Sequence, residues 1–206
     1  LNNVPDLPAN LVIGVDTSGS MSSIITGNRG SASSKVTYRD VAALMASAIA
    51  AKSPTSFVVP FDVRYHPGFR MKGSIVDTAE ELAKFGGGGT DCTIPLKEAL
   101  NLKQVDAIVI ISDNESWKTG AKDSMQSWRA IQKKNPNAKL INIDISPSHS
   151  VQTKDEQNVI NIGGFSDAVF NVMANYLNGS ITQWVDLIKK INISNSPVIS
   201  TPVETS

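Results

Sequence analysis

Apolar residues along this chain gather in short unbroken runs, separated by stretches with helical spacing. The first run is Leu11–Val15, which ends in Asp16. Ser56–Phe61, Ala107–Ser112, Lys139–Ile145 and the shorter Val159–Ile162 follow, and Ala107–Ser112 is the clearest central strand. A continuous apolar run of this length, bounded by turn signals, is how a buried parallel strand reads. Pro60 cannot donate to a ladder, so it marks its strand as an edge, a bulge or a strand end. Val63–His66 reads as a short neighbouring strand.

The stretches between the runs carry a different period. Tyr38–Lys52 places Val41, Leu44, Met45, Ala48 and Ile49 at helical spacing among many alanines, which predicts a helix lying close on a sheet. Ser74–Phe85 reads as a helix; Ser74 and Asp77 have capping-box spacing, with Asp in place of the usual Glu, and Gly86–Gly89 stops it. Thr93–Leu100 reads as a short helix with Thr93 as N-cap and Pro95 in its first turn. Lys122–Asn135 sets Met125, Trp128 and Ile131 on one face. Asp167–Leu177 carries a stripe of Val169, Val172, Met173, Tyr176 and Leu177, with Ser166 as its cap and Gly179 as its stop. Ile181–Ile193 is a further amphipathic pattern. Strands alternating with helices predict an α/β fold, with a mainly parallel central sheet covered by helices on both faces. The expected organisation is a lead-in over residues 1–10, one domain over 11–193 and an extended tail over 194–206.

Composition narrows the picture. A chain of 206 residues holds one well-filled domain, and 41% apolar content excludes disorder for most of it. Lys plus Arg equals Asp plus Glu at 19 each, so no overall charge draws the chain to nucleic acid or an anionic membrane. Cys92 is the sole cysteine, which rules out an internal disulfide and fits a reducing compartment. No apolar run approaches membrane-spanning length, and no signal-peptide pattern opens the chain. It begins at Leu1 and reads as a segment of something longer. Sequons stand at Asn114, Asn178 and Asn192. A glycan at the first would obstruct the site assigned next, which points to a cytoplasmic home.

Polar residues with chemical potential collect where runs end. Asp16-Thr17-Ser18-Gly19-Ser20 follows the first strand and Asp113-Asn114-Glu115 the third, while Gly88-Gly89-Thr90-Asp91 follows a helix. On a parallel sheet such groups meet in the crevice beyond the strand ends. Carboxylate and hydroxyl oxygens are hard ligands that suit Mg2+, with Mn2+ or Ca2+ as substitutes. The expected metal set is Asp16, Ser18, Ser20, Thr90 and Asp113. Glycines before Thr90 permit the close approach this needs. Asn114 and Glu115 stand between ligand contact and plain surface. Asp91 either orients the Thr90 loop or caps the helix near Thr93. Asp144 has a local structural role, Cys92 is a small buried residue, and Trp128 and Trp184 belong to core or interface.

Asp16-x-Ser18-x-Ser20, a later Thr90 after glycines and Asp113 after an apolar strand resemble the metal-ion-dependent adhesion site of von Willebrand factor A domains. Gly89-Thr90-Asp91-Cys92-Thr93-Ile94-Pro95-Leu96, Ser112-Asp113-Asn114-Glu115-Ser116 and Gly163-Gly164-Phe165 are similar to the A domain of the Ro ribonucleoprotein (TROVE) family. The resemblance implies a three-layer, Rossmann-like von Willebrand A domain. It also implies Ser18, Ser20 and Thr90 as hydroxyl ligands, with Asp16 and Asp113 holding the ion directly or through water. A protein or other ligand would offer a carboxylate to that ion. The implied whole is a small-RNA-binding protein of noncoding-RNA quality control, whose RNA surface belongs to a separate helical-repeat domain of the same longer chain. The rival readings are an adhesion or docking A domain outside the Ro family and, third, a metal-dependent hydrolase.

Enzyme chemistry lacks its parts. An aspartic-protease mechanism needs a second copy of the Asp16 loop. No Gly-x-Ser-x-Gly elbow or phosphate-cradling glycine motif follows a strand. Neither His66 nor His149 is placed by a motif beside a nucleophilic serine. The chain is expected to bind and not to catalyse, with no membrane partner.

Overall fold

The computed structural model describes residues 5–25, 36–53, 55–70, 72–113, 117–146 and 158–179. Among them five strands form one parallel sheet: β1 (Leu11–Asp16), β2 (Phe57–Phe61), β3 (Ala107–Ser112), β4 (Lys139–Asp144) and β5 (Val159–Gly163). Their order is β2-β1-β3-β4-β5, and every neighbouring pair is parallel. Pro60 therefore sits on an edge strand, where its missing N–H costs no ladder bond. Val63–His66 adds no strand. It turns back to form a single antiparallel bridge between Phe61 and Tyr65.

Among the described residues five α-helices cover the sheet: α1 (Tyr38–Lys52), α2 (Ile75–Leu82), α3 (Thr93–Asn101), α4 (Trp117–Lys134) and α5 (Ala168–Leu177). One apolar cluster joins the odd-numbered positions of β1 and β3 to α1, α2 and α5, and a second joins the even-numbered positions to α3 and α4. The three-layer, Rossmann-like reading thus stands. α1 is held at its start by a full capping box between Thr37 and Asp40. Its alanines 42, 43, 46, 48 and 50 are all buried, and their small size lets the helix lie close to the sheet. On the other face Pro95 of α3 presses on Gly14, where an added Cβ would meet the proline ring at 2.5 Å.

Several helix ends differ from expectation. α2 stops at Leu82, because Ala83–Phe85 tighten into a turn that leads to Gly86 in a left-handed conformation (φ 94°). α3 is capped by Asp91 and not by Thr93. Asp91 Oδ1 accepts both the backbone N–H and the hydroxyl of Thr93. Ser166 does not cap α5 through its side chain; its carbonyl accepts from Val169 N. α4 begins at Trp117, before the expected Lys122. The pattern over Ile181–Ile193, Trp184, the tail 194–206 and His149 lie outside the described residues.

Candidate functional site

The strand order creates a switch point. From β1 the chain moves out to β2 and then crosses back to β3 on the other side. Loops leaving β1 and β3 diverge there and open a crevice. Asp16 and Asp113 stand at its two sides. Asp16 is fully buried; its Oδ1 accepts from Ser18 N at 2.8 Å and its Oδ2 from Ser112 Oγ at 2.8 Å. Ser18 Oγ and Ser20 Oγ lie 3.2 Å apart, with Ser18 buried and Ser20 half-buried. Asp113 is 8% exposed, and its Oδ1 has no hydrogen-bond partner.

Burial pushes the Asp16 carboxyl up to about 6, and the Asp113 charge adds to that push, while hydrogen bonds from Ser18 and Ser112 oppose it. A proton on Asp16 relieves repulsion between the two acids.

The glycine run closes the third side. Gly87 N donates to Thr17 O at 2.9 Å, and Gly19 N donates to Gly88 O at 2.8 Å. At Gly86 a Cβ would fall 1.9 Å from Thr17 O, so the two loops touch only because glycine is there. Thr90, half-buried, lies at the end of this run. Among the described residues its hydroxyl makes no hydrogen bond to Asp16, Ser18 or Ser20. Asp91 is occupied with Thr93, and Asp144 Oδ1 accepts from Ser146 N at 2.9 Å, a local bond. Asn114 and Glu115 lie outside the described residues. Cys92 and Trp128 are buried.

Three supports of this rim carry no sequence signal. Asp62, at the end of β2, hangs the glycine loop: its Oδ2 accepts from Gly88 N at 3.2 Å, and its backbone carbonyl accepts from Asp91 N at 2.8 Å. Burial pushes its carboxyl up, but the N–H groups of Gly88 and Arg64 and the nearby His66 outweigh that and hold it below the usual range. His66 Nε2 is 3.1 Å from Asp62 Oδ1, in an orientation that is not a hydrogen bond. Arg39 of α1 donates to Thr17 O, Ser18 O and Ser22 Oγ at 3.2, 3.0 and 2.8 Å and pins the loop after β1. Ser112 holds Asp16 from β3. All three act across long sequence separations, which neither spacing nor periodicity reveals.

The expected divalent cation is corrected by this arrangement. Among the described residues no group of three or more His, Cys, Asp and Glu side chains is placed to hold a metal ion. The rim brings together two carboxylates, and both oxygens of Asp16 are already committed to Ser18 and Ser112. Two carboxylates fall short of such a group, and the expected Mg2+, with Mn2+ or Ca2+ as substitutes, is not supported by the described residues.

Comparison with known proteins gives a consistent answer. Residues 10–177 match the family described as the Ro60 vWA domain. The chain is similar to the RNA-binding protein RO60 of Deinococcus radiodurans, at 25% identity over 180 residues, covering 84% of this chain and 33% of that protein. It superposes on the crystal structure of the Deinococcus radiodurans RO (RSR) protein with a TM-score of 0.67 at 22% identity, over 87% of this chain and 36% of the other; that likeness shows the fold. The chain thus spans about a third of the length of the curated relative it matches. That relative is named for binding RNA and not for a reaction. The chain belongs to the Ro60 vWA domain family.

Proposed function

We propose that this chain is the partner-binding A domain of a longer Ro-like protein that binds small noncoding RNAs and serves their quality control. The observation that carries this reading is the family match over residues 10–177. Coverage of only a third of an RNA-binding relative agrees with a remainder that supplies the RNA surface, here assigned to a helical-repeat domain of the same protein. The even balance of 19 basic and 19 acidic residues supports that division, because phosphate binding draws on clustered positive charge. No helix among the described residues is long and apolar enough to cross a membrane. The working location is the cytoplasm.

Within the domain, the contact surface is the rim of Ser18, Ser20, Thr90 and Asp113 around Asp16, with Asp91 following Thr90; the further contact candidates Asn114 and Glu115 lie outside the described residues. Hydroxyls and an open carboxylate oxygen favour a protein or other guest that donates hydrogen bonds. A carboxylate guest would meet Asp113 as a like charge.

The test is a titration of a structured small RNA with this chain over a range of salt concentrations. Weak binding with a shallow salt slope is expected. Tight binding that falls steeply with salt would place the main RNA surface here and overturn the division.

A further inference from the structure

Away from the rim, α4 and β4 each carry buried polar atoms without a partner. Ser124 Oγ, Trp128 Nε1 and Asn142 Oδ1 all lack a hydrogen-bond partner, in residues only 1%, 0% and 2% exposed. Ser124 and Trp128 are four residues apart and share one face of α4. Trp128 and Ile131 pack in the same cluster as Leu140 of β4. Asn142 is two residues beyond Leu140, so its side chain leaves the sheet on that same face. Its Nδ2 donates to Asn161 Oδ1 at 3.1 Å across the β4–β5 pair, which fixes the amide and leaves Oδ1 as the open acceptor.

The levels agree as well. α4 joins two adjacent parallel strands and runs back antiparallel to β4. From Ile131 back to Ser124 is about 10 Å of helix rise. From Leu140 forward to Asn142 is about 7 Å of strand. The Ser124–Trp128 turn and Asn142 therefore approach the same level from opposite layers.

The three groups are complementary yet unjoined. Trp128 offers one donor, Asn142 one acceptor and Ser124 either. A water molecule accepts from the indole, donates to the amide oxygen and exchanges one bond with the hydroxyl, which meets the usual requirement for a buried water. We propose that α4 is mortared to β4 by a buried water held by Trp128 Nε1, Ser124 Oγ and Asn142 Oδ1. An unpaired indole or amide in this position costs free energy that one water removes. The water fixes the half of α4 that leads away from Asp113.

Two measurements on the whole chain test this. A high-resolution crystal structure is expected to show a water within hydrogen-bond distance of at least two of the three atoms. Direct bonds between α4 and Asn142, or a dry interface, would overturn the proposal. In denaturant titrations, Ser124→Ala is expected to lower the folding equilibrium constant roughly fivefold, the loss of one satisfied buried bond. If Ser124 binds no water, the substitution removes an unsatisfied hydroxyl and the constant rises, which also overturns it. Transfer of magnetisation from a long-lived water to the Trp128 indole proton gives a third readout that needs no substitution.

Discussion

The two faces of the sheet are built from the same strands and share almost nothing else. Toward α1, α2 and α5, β1 presents Leu11, Ile13 and Val15, β3 presents Ala107, Val109 and Ile111, and β4 presents Ile141 and Ile143. Toward α3 and α4 the same strands present Val12, Gly14 and Asp16, then Ile108, Ile110 and Ser112, then Leu140, Asn142 and Asp144. Each strand begins apolar on this second face and ends polar. The polar ends are all at the carboxyl edge of the sheet, so one face carries the fold's chemistry while the other is pure packing. The period of two along a strand is what lets adjacent residues serve these separate ends.

Neighbours on β3 break the comparison most directly. Ile111→Ala, on the apolar face, is expected to cost about 3 kcal/mol through lost burial and the cavity left behind. Because no titrating group is involved, chemical denaturation at acid and neutral pH should give the same loss. A loss that changes with pH would show that the faces are coupled.

Asp16→Asn sharpens it from the polar side. The folded Asp16 carboxyl titrates at about 6 against an ordinary 3.8, so the folded state holds the proton more tightly. Its contribution to stability is whole below pH 3.8 and is lost as pH rises through about 6. The interval corresponds to about 3 kcal/mol, an order-of-magnitude figure. The asparagine variant escapes this loss. It should be more stable than wild type by about 2 kcal/mol at neutral pH, with no advantage in acid. A variant less stable than wild type at neutral pH would mean that the charged carboxylate is wanted there.

Ser112→Ala should have the smallest effect. It removes the donor to Asp16 Oδ2 and is expected to cost about 1.5 kcal/mol at neutral pH, where the acceptor is charged. The cost should shrink in acid, the reverse of the flat response at Ile111. Equal costs at both pH values would remove Asp16 as the reason Ser112 matters.

Most of the scaffold was legible because its signals are local. The apolar runs gave β1 and β3, the alanine-rich pattern gave α1 with its bounds, and the edge position of β2 is one of the three that Pro60 allowed, beside a bulge and a strand end. Helix ends were less legible. At α3 the sequence offered both Thr93 and Asp91 as caps; both residue types cap, and the coordinates give the capping oxygen to Asp91, with Thr93 as its client. At the rim, the residues at strand ends could be read, since topology gathers them. Asp62, Arg39 and Ser112 could not, because each supports a loop far away in sequence. The expected cation followed from ligand chemistry alone. Spacing does not show that Ser18 N and Ser112 Oγ already occupy both oxygens of Asp16.

One consequence follows from where the glycine loop is tethered. Asp62 lies just past β2, and it holds both Gly88 and Asp91. Edge strands are paired on one side only, and local opening starts where few bonds must break. Fraying at β2 is therefore expected to loosen the rim first, although Asp16 and Asp113 themselves are rooted in the interior strands. A perturbation that peels this margin away would dismantle the rim while leaving the core folded.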